Sequence, residues 1–125
     1  MMDRGVKITL GDEEYYLLLT TGATKEICKR YGGLENLGDK LMAGEKLDDA
    51  LDEVAWLLIT LANQGIAYEN KKCGTNKAPL TAADIDLYTS PAELVGYRPT
   101  ITEAINKGMT RNIISEENGK NAEGE

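Results

Sequence analysis

The 125-residue chain contains no histidine. The side chain that most often serves as general base or neutral metal ligand near pH 7 is therefore missing. Serine occurs only as Ser90 and Ser115. Without histidine, a serine or cysteine nucleophile would have to use a lysine or a carboxylate as its base. Ser90 already has a helix-capping role, and Ser115 opens a polar tail. The cysteines are Cys28 and Cys73, far apart and outside any metal-type spacing. They read as two free thiols, with Cys28 a buried structural thiol on an apolar helix edge. No P-loop or dinucleotide fingerprint is present, and the Gly33 to Gly38 segment is a connector between short helices.

Long apolar runs are also missing. The longest, Val54 to Ile59, resumes after Thr60 with Leu61 and Ala62. A bilayer span needs about 20 apolar residues, so this stretch is a buried helix. The N-terminus runs straight into a strand-like pattern, which predicts no signal peptide and a cytoplasmic location. Positive charge is scarce: 14 basic residues face 21 acidic ones, a formal charge of −7. A chain without a basic stripe is poorly equipped for nucleic acid, where phosphate neutralisation supplies most of the affinity. What remains fits a protein-binding module, not an enzyme, a DNA binder or a membrane protein.

Hydrophobic residues make up 42% of the chain and charged residues 28%, the balance of a globular domain. Residues 1–114 are expected to form one domain, and 115–125, without an apolar residue except Ala122, a disordered acidic tail. Val6, Ile8 and Leu10 alternate with Lys7 and Thr9, the period of a half-buried strand. Gly11 to Glu14 reads as a turn and Tyr15 to Thr20 as the return strand. Val6, Ile8, Leu10, Tyr15, Leu17 and Leu19 then share one face. The other face carries Lys7, Thr9, Tyr16, Leu18 and Thr20 and is unusually apolar. Tyr16 and Leu18 are either exposed singletons or part of a contact with a neighbouring chain.

Helical spacing dominates the rest. Thr21 is expected to cap a helix over 22–31, stopped by Gly32-Gly33, and a second short helix is expected from Leu34 to Met42. The main helix is expected over 45–64, with Leu47, Leu51, Val54, Leu58, Leu61 and Ala62 inward. Tyr68 to Pro79 reads as a basic loop. Thr81 caps a short helix, and Ser90-Pro91-Ala92-Glu93 is a capping box with proline at the first helical position. The stripe Leu94, Tyr97, Ile101, Ala104, Ile105, Met109 and Ile113 follows. Pro99 should kink or break it, with Thr100 and Glu103 restarting it. The fold class is α+β, mainly α: an N-terminal β-hairpin packed on a small bundle of about five helices, the last kinked near Pro99.

Asp48, Asp49, Asp52 and Glu53 are the one constellation with possible chemistry. Asp48 with Asp52, and Asp49 with Glu53, are i,i+4 pairs on shared helix faces. Two such carboxylates can contribute to a hard-cation site, but a helical site needs further ligands from a second helix, and none is evident. A solvated acidic face or a docking surface for a basic partner remain. No catalytic, cofactor or metal residue is assigned. Partner-binding candidates are Asp48, Asp49, Asp52, Glu53, Tyr16 and Leu18.

The order of elements carries a resemblance. Val-Lys-Ile-Thr-Leu-Gly-Asp-Glu-Glu-Tyr-Tyr-Leu (6–17) is followed by Thr-Thr-Gly-Ala (20–23) and a helix ending Arg-Tyr-Gly-Gly (30–33). A long apolar helix, Ala-Pro-Leu-Thr-Ala-Ala-Asp-Ile (78–85), Ser-Pro-Ala-Glu-Leu (90–94) and Glu-Ala-Ile-Asn-Lys-Gly-Met (103–109) complete it. Over residues 6–113 the chain resembles the tail assembly chaperones of long, non-contractile-tailed phages and prophages. The motifs are hydrophobic pattern and turn residues, with no catalytic signature and no ligand residues to carry over. The resemblance implies a non-enzymatic protein without cofactors. It would bind the tape measure protein in the host cytoplasm, self-associate, give way to tail tube subunits, and be missing from the finished virion. Such chaperones are often also made in a longer form by ribosomal frameshifting. Gly119-Lys120-Asn121 can be encoded GGA-AAA-AAC, which contains a slippery run. Three other readings stand beside this one: a different phage structural protein, such as a tail completion or head–tail connector protein, a small cytoplasmic adaptor, and a metal-dependent enzyme.

Overall fold

A computed structural model describes residues 5–35, 37 and 46–110. Two strands, β1 (Val6–Leu10) and β2 (Glu13–Leu17), pair antiparallel with Val6 opposite Leu17, Ile8 opposite Tyr15 and Leu10 opposite Glu13. The turn is shorter than the sequence suggested. Gly11 and Asp12 both adopt positive φ, 55° and 70°, the conformation of a two-residue hairpin turn whose twist suits the strands. Glu13 and Glu14 thereby join β2. Parity is unchanged, so Ile8, Leu10 and Leu17 are buried on the expected face.

Helix α1 (Thr21–Tyr31) begins one residue early, because Thr20 is the cap: its Oγ1 accepts from the Ala23 N–H at 3.0 Å. Gly32 closes it with φ 80°. Of the short helix expected from Leu34 to Met42, Leu37 is buried and donates its N–H to the Leu34 carbonyl; residue 36 and residues 38–45 lie outside the described residues.

Helix α2 (Leu47–Cys73) is the centre of the fold. Val54, Leu57, Leu58, Leu61, Ala62 and Ile66 are buried along it, and it meets the hairpin, α1 and the later helices. The expected end near Gln64 is corrected, since α2 runs on to Cys73, through the first half of the segment read as a basic loop. Lys71 and Lys72 occupy its last turn, where the helix dipole favours cations, and Gly74 ends it with φ 71°. Leu47, expected inward, stands 63% exposed.

Helix α3 (Ala82–Tyr88) and α4 (Pro91–Val95) each start with a capping box, on Thr81 with Asp84 and on Ser90 with Glu93; the sequence predicts the second box in full and, for the first, the Thr81 cap alone. The last helical stretch is broken near Pro99. Gly96 and Tyr97 form a turn, and a further helix, α5, covers 98–110. The restart comes before Thr100: the Tyr97 carbonyl already accepts from the Ile101 N–H at 2.8 Å. Pro99 thus sits in the first turn, where no donor is required of it. Ile101, Ala104 and Ile105 face the core, while Met109 does not and is exposed. Gly108 takes the inward place, where an added Cβ would lie 2.7 Å from Leu19 Cβ. Ile113 and the tail 115–125 lie outside the described residues.

Candidate protein-binding surface

The four acids at the start of α2 divide between two tasks. Glu53 faces α1. Arg30 reaches it with two nitrogens, each 3.4 Å from a carboxylate oxygen, and the Tyr31 hydroxyl donates to the same carboxylate. Arg30 also stacks over the Trp56 ring at 4.6 Å, and Tyr31 meets Trp56 edge-on with centroids 6.1 Å apart. Burial, then the hydrogen bond to Glu53, pushes the Tyr31 hydroxyl up to about 12. Glu53 therefore pins α1 to α2. Asp48, Asp49 and Asp52 remain exposed. Among the described residues no three potential ligands come together to hold a metal ion.

The hairpin candidates do not join these acids. Leu18 is fully buried, which corrects its place on an outward face. The alternation ends at Leu17, and the Leu18 N–H turns inward to donate to the Leu61 carbonyl at 3.1 Å. Tyr16 is half-buried, its carbonyl against Gly65. Gly65 lies some 20 Å along α2 from Asp52 at the helical rise of about 1.5 Å per residue. The hairpin and the acidic start of α2 are thus separate regions.

The sequence places a helix after Thr81, but its exposed apolar face was missed. Leu87 is 76% and Tyr88 51% exposed, although Ile85 of the same helix is fully buried. Helical spacing carries the signal: Leu87 stands about 200° around the axis from Ile85, on the opposite face. Tyr88 leans on the hairpin turn, where a Cβ on Gly11 would lie 2.9 Å from its ring. Beside α3, a cleft of about 230 Å³ opens between Leu51 of α2 and the α3–α4 corner formed by Asp86, Thr89, Pro91 and Leu94. A wider depression of about 980 Å³ runs along Pro99, Thr102, Asn106 and Thr110. Its lining among the described residues comes from the α4–α5 segment alone, so it offers one wall and no opposing surface.

Cys28 is half-buried instead of buried, Cys73 is exposed, and both are free. No helix among the described residues is long and apolar enough to cross a membrane. No family model, curated protein or solved structure matches the chain.

Proposed function

We propose that this protein is a tail assembly chaperone of a long, non-contractile-tailed phage or prophage. It binds the tape measure protein in the host cytoplasm and keeps that long helical chain soluble until tail tube subunits replace it. The observation that carries this reading is the exposure of large apolar side chains beside carboxylates. Leu47 precedes Asp48 and Asp49, and Leu87 follows Asp86, with both leucines more than half exposed. Such a surface can cover an apolar helix face while its charge keeps the complex dispersed and repels wrong partners. The order of elements read from the sequence supports the same assignment. Self-association and a frameshifted longer form belong to it. The coding sequence of Gly119 to Asn121 tests the latter, since codons other than GGA-AAA-AAC remove the slippery run.

The deciding experiment is co-expression with the longest neighbouring open reading frame. The long product is expected in the soluble fraction only when this protein is present. Purified particles are expected to lack it. Stoichiometric retention in the particle would make it a permanent virion part instead.

A further inference from the structure

We infer that the cleft between the first turns of α2 and the α3–α4 corner is a docking site, and that its occupant is a cationic amphipathic helix of another polypeptide. This rests on the reading above, in which that polypeptide is the tape measure protein. Leu51 forms one wall, and Pro91 and Leu94 the other. Leu47, one turn before Leu51, extends the apolar row onto the surface. Asp48 and Asp52 follow these leucines by one residue, so they flank the row about 100° around the helix. Asp86 stands on the opposite wall. The cleft therefore has a mainly apolar floor with Thr89 and Ser90 at its corner, room for a single large side chain, and carboxylates on both sides.

Charge decides between occupants. A second copy would bring the same acidic rim against this one, and nucleic acid would bring phosphates. A helix with apolar anchors at spacing three to four and lysine or arginine beside them satisfies both floor and rim. Glu53 takes no part, because Arg30 and Tyr31 already hold it. Asp49 shares the Glu53 side of α2, away from the cleft.

The test uses the full chain and a fluorescent peptide of leucine and lysine at helical spacing, about five turns long. Saturable binding that weakens with added salt is expected. The double variant Asp52→Lys/Asp86→Lys should weaken it at least about tenfold. The charge-matched control Glu26→Lys/Glu103→Lys, at exposed positions off the cleft, should change it less than about threefold. All four positions are exposed, and circular dichroism confirms that each variant is folded. Equal weakening in both variants, equal binding of a leucine–glutamate peptide, or no binding by the wild type overturns the site. Co-expression with the long partner separates this from the functional reading. If the wild type rescues the partner and the cleft variant rescues equally well, the site is wrong and the chaperone stands. If the wild type rescues nothing while the peptide binds at the cleft, the site stands and its assigned partner is wrong.

Discussion

Gly65 of α2 lies against the carbonyl of Tyr16: a Cβ placed on that glycine would sit 2.1 Å from the oxygen. The end of β2 is laid directly on the helix backbone there, and the neighbouring Leu18 N–H donates to the Leu61 carbonyl one turn earlier on α2. Strand and helix are therefore joined backbone to backbone, with no side chain between them at this point.

That contact gives the first prediction. Alanine ordinarily favours a helix interior over glycine by about 1 kcal/mol. At Gly65 the sign should reverse, because the atom in the way is backbone and cannot rotate aside. Gly65→Ala should lower stability by about 2–3 kcal/mol, as overpacked cores do. Gly22→Ala is the contrast. Its Cβ would meet the flexible Gln64 side chain at 3.3 Å, on an exposed turn of α1. It should be neutral or stabilising by up to about 1 kcal/mol. Urea denaturation of the two variants measures both.

The segment after α2 gives the second. Asn63 accepts from the Leu80 N–H at 2.7 Å and donates to the Leu80 carbonyl at 3.0 Å. Asn70 accepts from the Lys77 N–H at 3.1 Å and donates to the Lys77 carbonyl at 3.0 Å. Seven helical residues rise about 10 Å, and three extended residues span about the same length, so the two asparagines strap the segment antiparallel along α2. Lys77 ties the strap to the hairpin through the Glu14 carbonyl and the Tyr15 ring. Asn63→Ala should cost about 2 kcal/mol, because it leaves backbone groups at buried Leu80 without partners, and Asn70→Ala less. Amide exchange at Leu80 and Lys77 should quicken in the corresponding variant.

The same strap explains part of what the sequence concealed. Asn70, Gly74, Asn76 and Pro79 interrupt the hydrophobic period, so the last turns of α2 looked like loop. Their helicity is supported by amides gripping a distant backbone, and the sequence carries no local mark of that pairing. Caps and short-range patterns were legible: Thr81 as a cap, Ser90 with Pro91 and Glu93, and the parity of the hairpin all act within a few residues. Of the candidate surface, the exposed Asp48, Asp49 and Asp52 were legible as charge. The engagement of Glu53 by α1 was not, because Arg30 reaches it across 23 residues of sequence.

Tyr31 yields a pH prediction. Its hydroxyl is held in the neutral form by burial and by Glu53, with the pKa pushed up to about 12 from an ordinary 10.0. A group whose folded pKa is raised contributes stability that is complete below the unfolded value and is lost as pH climbs from 10 through 12. Tyr31→Phe should therefore be less stable than wild type at pH 8, by about 1 kcal/mol for the lost hydrogen bond. It should also lose less stability than wild type between pH 10 and 12. Thermal melts across that range give the comparison, and parallel curves for the two proteins would contradict it.

Leu18 and Leu87 test the division between core and surface. Leu87 stands between Asp86 and Tyr88, Leu18 shares its strand alternation with Tyr16 and Thr20, and both could pass for exposed apolar residues. Leu18 is fully buried, whereas Leu87 is 76% exposed. Leu18→Ala removes buried methyl groups and leaves a cavity, so it should cost about 2–5 kcal/mol. Leu87→Ala should stay within about 0.5 kcal/mol of wild type, as surface substitutions do. Loss of partner rescue by Leu18→Ala would then report unfolding, because that side chain has no surface to lend. Loss of rescue by Leu87→Ala at unchanged stability would report a contact made outside the chain. Equal denaturation midpoints for the two variants would mean that the chain does not turn inward after Leu17.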